Sequence, residues 1–289
     1  MNKREKEEHY RILFVLEHFH PYIGGAERLS YLLTKKLAEE GYEVQVLTTL
    51  HDQKLKKVEV VEGVHIRRID CKNRFLFTLR ALRPARELAK HSDIIIGSTY
   101  NAAIPTWWAA KKNLLPSILI FHEIWDKLWF RLPYLNLIQR IAYWSFEQVI
   151  ARLHFTKIVA VSEYTRECLK KYFSDEKIVR IYNGIDYSEF KEYKWQAPNK
   201  FQPLFLGRLG VSKGIDILIP AMDQFLGRYQ DSSFRLILPN QPKTLSRRIR
   251  NAIKSLKHSD RIELIQSLEF EKLLDMMCQS SCIVIPSYS

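Results

Sequence analysis

The chain alternates twice between short apolar runs and segments of helical periodicity. That alternation restricts it to parallel sheets with helices on both faces. In the first round, R-I-L-F-V-L (11–16), E-V-Q-V-L-T (43–48), V-H-I-R-R-I (64–69), D-I-I-I-G (93–97), S-I-L-I-F (117–121) and K-I-V-A-V (157–161) are predicted strands. The spacing predicts helices over 26–40, 78–90, 102–112, 134–153 and 163–173. A second round sets Q-P-L-F-L (202–206), F-R-L-I-L (234–238), R-I-E-L-I (261–265) and C-I-V-I-P (282–286) among helices over 213–228, 244–257 and 269–279. Between the rounds, I-Y-N-G-I-D-Y-S-E-F (181–190) is turn-rich and 191–200 is polar. We therefore expect an N-terminal domain over 1–190, a linker over 191–200 and a C-terminal domain over 201–289. The last strand ends three residues before the sequence does, where a ligand-carrying loop should begin, so the second domain is expected to be incomplete.

With 45 Lys+Arg against 32 Asp+Glu, the formal net charge of +13 favours an anionic partner: nucleic acid, anionic lipid or a phosphorylated substrate. No zinc-finger spacing, RNP-like strand or helix-turn-helix signature supports nucleic acid, which stays as the alternative from a different class. The first eleven residues are charged and form no signal segment. The most apolar stretches, such as L-L-P-S-I-L-I-F (114–121), fall far short of the roughly 20 residues that cross a bilayer. Cys71, Cys168, Cys278 and Cys282 lack a Cys/His metal pattern, so a cytoplasmic protein with free thiols is expected. Cys278-x3-Cys282 is read as two small buried side chains.

Three constellations carry candidate chemistry. Gly24 and Gly25 join the first strand to the first helix, where backbone approaches a ligand closely and the helix N-terminus attracts anions. The loop is not G-x-G-x-x-G, and a bare tight turn is the competing reading. His122 and Glu123 follow the strand S-I-L-I-F, where a histidine serves a sugar hydroxyl or a phosphate, or merely caps the strand. F-L-G-R-L-G-V-S-K-G-I-D-I-L (205–218) sets Arg208 and Lys213 in a glycine turn before a helix. An Arg fork and a mobile ammonium at a helix start suit phosphate oxygens, although the spacing is not that of a P-loop.

Taken together, G-G-A-E-R (24–28), H-E (122–123), V-S-E-Y-T-R-E-C-L-K-K-Y (161–172), I-Y-N-G-I-D-Y-S-E-F (181–190) and F-L-G-R-L-G-V-S-K-G-I-D-I-L-I-P-A (205–221) resemble the GT-B retaining glycosyltransferases of family 4. The resemblance implies an α/β, GT-B fold of two Rossmann-like doubly wound domains. It also implies hexosyl transfer from a nucleotide sugar to an acceptor sugar, glycan or lipid-linked sugar. Gly24 and Gly25 then correspond to the loop near donor phosphates and acceptor, and His122 to a histidine near the donor sugar. Arg208 and Lys213 correspond to the pair that neutralises the departing diphosphate, so no cofactor and no metal are expected. P-N-Q-P (239–242) replaces the family's G-x-G-P, and Gln266 stands where a glycine is common. The family's E-x7-E motif, which should follow V-I-P-S-Y-S, is not in the sequence. A natural chain that continues with it implies an active transferase; one that stops implies a catalytically inactive remnant. A nucleotide-sugar 2-epimerase shares the architecture but not the R-x4-K turn.

The family often serves glycolipid and polysaccharide synthesis. Phe75, Phe77, Trp125, Trp129 and Phe130 interleave with Arg74, Arg80, Arg83, Lys127 and Arg131. This mixture predicts either salt-sensitive peripheral association with an anionic membrane, at the inner face of the cytoplasmic membrane, or helices packed on their own sheet with the aromatics in the core and a solvated basic face.

Overall fold

A computed structural model describes residues 10–71, 73–210, 212–239 and 242–288. Packing divides the chain into two compact units, Met1–Asp126 with Ile141–Ile185, and Lys127–Arg140 with Asp186–Ser289. In chain order the elements up to residue 180 are β1 (Arg11–Val15), α1 (Gly25–Glu39), β2 (Glu43–Thr49), β3 (Val58–Val61), β4 (Val64–Ile69), α2 (Arg74–Arg80), α3 (Leu82–Ala89), β5 (Ile94–Ser98), α4 (Ala103–Asn113), β6 (Ser117–Phe121), α5 (Leu137–Ile150), β7 (Lys157–Ala160), α6 (Glu163–Leu169) and β8 (Ile178–Arg180). Their sheet runs β3-β4-β2-β1-β5-β6-β7-β8. The β3–β4 pair is antiparallel, and the other pairs are parallel.

Strand alternation explains why both faces are covered. Leu13 and Val15 of β1 pack with Leu47, Ile95 and the alanines of α3 and α4, whereas Ile12 and Phe14 pack with Val44, Val46, Val64 and Ile66 against α1. Successive side chains of one strand feed opposite layers, so the apolar run has no solvent face. A third core joins Leu119, Phe121, Ile158 and Ile178 to Ile150 of α5 and Leu169 of α6.

The second unit contains β9 (Leu204–Leu206), α7 (Ile215–Arg228), β10 (Phe234–Ile237), α8 (Lys243–Lys254), β11 (Ile262–Ile265) and α9 (Phe270–Cys278). Its parallel sheet is ordered β11-β10-β9. Phe205, Leu236 and Leu238 form its core with Ile215, Leu218 and Met222 of α7 and Ile249 and Ile253 of α8.

Several expectations are corrected. The sequence reading has no strand at 58–61, where β3 forms a hairpin with β4 through Glu62 and Gly63, both at positive φ. The helix expected over 78–90 is two helices. Asn73 caps α2 by accepting from Leu76 N at 3.0 Å, and Pro84 lies in the first turn of α3, where its missing N–H is tolerated. The run 282–286 is not a strand but a single parallel bridge, Leu204 to Ile283. Cys282 is exposed and Cys278 half-buried, so they are not a buried pair; all four cysteines are free.

Candidate active site

In the first unit the chain order reverses between β1 and β5, so the crevice beyond the carboxyl ends of those strands is where a doubly wound sheet takes a ligand. Gly24 is the N-cap residue of α1 and offers no side-chain cap; Gly25 is exposed, with open space where a Cβ would stand. Glu17, just past β1, accepts from Arg74 at 3.1 Å and from Asn101 at 2.8 Å. Burial pushes its carboxyl up, but the hydrogen bonds from His18 and Asn101 and the Arg74 charge outweigh it and hold the group below its ordinary value. The sequence reading passed over Glu17, which looks like an ordinary strand-end residue.

His122 and Glu123 leave β6 together and then diverge. His122 is largely buried, which pushes its imidazole below the ordinary value against the opposing charge of Glu27. Near pH 7 it is therefore neutral, able to donate or accept. The side chain of Glu123 is exposed, and its carbonyl accepts from the Tyr100 hydroxyl at 3.2 Å.

The loop after His122 is fixed by a residue the sequence reading missed. Glu147 of α5 is 0% exposed and accepts from Tyr100 Oη at 2.7 Å, Trp125 N at 2.8 Å and Asp126 N at 2.6 Å. Burial, and then the Glu147 charge, push the Tyr100 phenol well above its ordinary value, so it stays a donor. Glu147→Gln is expected to cost about 2–3 kcal/mol, because an amide cannot accept at both ends and leaves buried N–H groups unpaired. Urea unfolding of the variant against the parent measures it; an unchanged midpoint would show that the carboxylate does not hold the loop.

In the second unit β9 has β10 on one side and the Ile283 bridge on the other, so the loop that leaves β9 also sits at a reversal of strand order. Arg208 and Lys213 are both exposed on this loop and form no ion pair with a described residue; Val211 between them lies outside the described residues. The loop is tied by its backbone. Lys213 N donates to Gly210 O at 3.2 Å, and Tyr288 N donates to Ser212 O at 2.9 Å. Tyr288 Oη also donates to Asp216 at 2.6 Å, which pushes its phenol up to about 12. Of P-N-Q-P, Asn240 and Gln241 lie outside the described residues.

The predicted membrane aromatics do not share one surface. Phe77 is 0% exposed and Trp125 3% exposed, both core residues. Phe75 remains exposed, and Leu79, one turn further along α2, joins it. The Lys127–Arg131 segment is grouped with the second unit. Among the described residues, no helix is long and apolar enough to cross a membrane.

Comparison with known proteins agrees with this geometry. The chain is 23% identical over 288 residues to a GDP-mannose:cellobiosyl-diphosphopolyprenol alpha-mannosyltransferase of Xanthomonas campestris, covering 95% of this chain and 72% of the relative. It spans between 57% and 72% of the length of the curated relatives compared. Sucrose-phosphate synthase from Thermosynechococcus elongatus shares its fold at a TM-score of 0.78 and 16% identity, over 96% of this chain and 76% of that one. Anabaena Alr3699/HepE, solved in complex with UDP-glucose, does so at 0.73 and 17%, over 97% and 75%. These neighbours are GT-B glycosyltransferases, so the two parallel α/β units are of the GT-B class. The model of Glycosyltransferase Family 4 matches residues 23–189, more than half of the chain, and the chain belongs to that family.

Proposed function

We propose that the chain transfers a hexosyl group from a nucleotide-sugar donor to an acceptor hydroxyl with retention of configuration, in the synthesis of a glycolipid, polysaccharide or other glycoconjugate. The observation that carries the reading is the pair Arg208 and Lys213, exposed and neutralised by no described residue in the loop before α7. As the glycosidic bond breaks, negative charge grows on the nucleoside diphosphate, and a preorganised guanidinium and ammonium stabilise it. On this reading the protein's own cations supply that charge, and His122 holds a sugar hydroxyl. The mannosyltransferase relative, named for a diphosphopolyprenol acceptor, supports a lipid-linked acceptor here. The test is nucleoside diphosphate release from UDP-glucose or GDP-mannose in the presence of polyprenol-diphosphate-linked sugars. Acceptor-dependent release is expected; no release with any pairing in a folded sample would refute the reading.

A lipid-linked acceptor calls for a membrane surface, and the first unit offers one of suitable chemistry. Phe75 is 47% exposed and Leu79 65% exposed on α2, and Leu114 is 92% exposed after α4. Asn113 donates to Arg86 O at 3.1 Å, which brings the end of α4 beside α3. Arg80, Arg83, Arg86, Lys111 and Lys112 therefore lie on neighbouring helices, whereas Glu87 is paired with Lys90 at 2.6 Å. Each accessible cation near an anionic leaflet contributes about 1 kcal/mol, so this face favours anionic lipid at the cytoplasmic side of the membrane. Co-sedimentation with anionic vesicles at low salt is expected, and it is expected to be lost when Arg83, Arg86, Lys111 and Lys112 are replaced by glutamate. Equal recovery in the supernatant with neutral and anionic vesicles would contradict it.

A further inference from the structure

The amino-terminal edge of the second unit's sheet carries a cleft that the proposed chemistry does not use. Its volume is about 700 Å³, within the range of small-molecule sites, and Asn199, Lys200, Phe201, Tyr229, Gln230 and Asp231 help to line it. Phe201 precedes β9, and Tyr229–Asp231 precede β10. Arg208 and Lys213 follow the opposite end of β9, so the length of that strand separates them from the cleft. The two lining rings are supported from within the unit yet open to solvent. The Phe225 centroid lies 5.8 Å from that of Phe201 and 5.1 Å from that of Tyr229, and Phe234 meets Phe225 edge-on at 6.5 Å. Phe201 is nonetheless 53% exposed and Tyr229 51% exposed. Arg261 fixes the turn beside them, donating to Tyr229 O at 3.0 Å, to Gln230 O at 2.8 Å and to Leu226 O.

We infer that this cleft binds a neutral oligosaccharide, at a site apart from the one where sugar is transferred. The inference goes beyond the transferase reading, because it concerns a glycan held without reaction.

The groups left unpaired decide the occupant. The side chains of Asn199, Lys200, Gln230 and Asp231 are exposed and have no hydrogen-bond partner among the described residues. Amide, carboxylate and ammonium offer donors and acceptors side by side, as neighbouring sugar hydroxyls require. The C–H faces of a pyranose carry partial positive charge and suit the electron-rich faces of Phe201 and Tyr229. A phosphate fits poorly. The cations Lys200 and Arg228 are opposed by Asp231, and the cleft lies at the C-terminal end of α7, the negative end of its dipole. An extended peptide fits poorly too, because it would pair with backbone. The carbonyls of Tyr229 and Gln230 are engaged by Arg261, and Phe201 O accepts from Ser233 N at 3.2 Å.

The test uses the full chain without a donor. Cellopentaose, maltopentaose and mannopentaose are titrated calorimetrically into the parent, Tyr229→Ala and Asp231→Ala. At least one is expected to bind the parent with a Kd below about 1 mM. Asp231→Ala is expected to weaken that binding about tenfold to a hundredfold, as for one hydrogen bond to a charged group. Tyr229→Ala is expected to weaken it about threefold to tenfold through the lost ring face. UDP and GDP affinities are expected to be unchanged in both variants, and Arg208→Ala/Lys213→Ala is expected to bind the oligosaccharide as the parent does. Failure of all three oligosaccharides to bind the folded parent at millimolar concentration would overturn the inference. Binding that either folded variant retains in full would also overturn it, by putting the glycan elsewhere. Displacement of the oligosaccharide by UDP or GDP would do the same, by merging the cleft with the diphosphate site. If oligosaccharide binds as expected and neither diphosphate binds, the transferase reading fails and the cleft stands. Should Tyr229→Ala not fold, Asp231→Ala decides alone, since it removes an exposed side chain without a described partner.

Discussion

Replacing Lys213 by alanine is expected to slow glycosyl transfer about 10²- to 10³-fold at saturating donor, and Arg208→Ala by a similar factor. Charge that develops only as the diphosphate departs is stabilised more in the transition state than in the ground state, so the loss falls on kcat more than on KM. The site suits a clean measurement. Both side chains are exposed and neither pairs with a described residue, so their removal leaves the packing of the second unit unchanged. Stability is expected to move by less than about 0.5 kcal/mol, as for surface substitutions away from packed features. The double variant should lose less than the product of the single losses, because the two cations act on one leaving group. Single-turnover rates with a lipid-linked acceptor measure this. A Lys213→Ala enzyme within about threefold of the parent would remove the ammonium from the mechanism.

Gly214→Ala is expected to destabilise the second unit by on the order of 3 kcal/mol, through two independent causes. Gly214 has φ 61° and ψ 24°, the left-handed conformation that costs an L-residue about 1–2 kcal/mol. A Cβ built there would also drive into the carbonyl oxygen of Pro286 and lie 2.8 Å from its carbon, so the 286–288 segment would have to shift. That segment ties the Arg208–Lys213 loop through the Tyr288 N to Ser212 O bond and the Tyr288–Asp216 bond. Destabilisation should therefore come with weaker diphosphate binding in whatever fraction stays folded. Gly184 is the control: it has nothing within 4 Å of its Cβ position, and Gly184→Ala should be nearly neutral. Urea unfolding of both variants against the parent decides it. Coincident transitions for Gly214→Ala and the parent would show that loop and segment are not locked together.

The sequence made the parallel sheets legible because strands buried on both faces read as unbroken apolar runs, and I-L-F-V and D-I-I-I-G leave no other reading. It was less informative at edges. V-E-V-V at 58–61 alternates as an edge strand does, and its partner is fixed by the tight turn at Glu62 and Gly63, a cue weaker than a long apolar run. At 282–286 the apolar run overstates the structure: only Ile283 bridges to β9, and Cys282 and Ile285 are exposed. The same limit scattered the membrane aromatics. A list of Phe and Trp beside Arg cannot tell Phe77, which faces the core, from Phe75, which faces solvent.

Of the candidate site, glycines and cations at strand ends were visible because backbone freedom and charge are properties of residue type. Glu147 was not, although it is the one acidic residue of α5. Its role depends on which loop packs over it, and that loop is set by tertiary structure.

The central claim is that the loop after β9 is a nucleoside-diphosphate site. Calorimetric titration of UDP and GDP into the folded chain, in parallel with an Arg208→Ala/Lys213→Ala double variant, tests it most directly. The account predicts that at least one diphosphate binds the parent with a Kd below about 1 mM, and that the double variant, equally well folded, does not bind it detectably. A parent that binds neither at millimolar concentration, or a double variant that binds as the parent does, would contradict it.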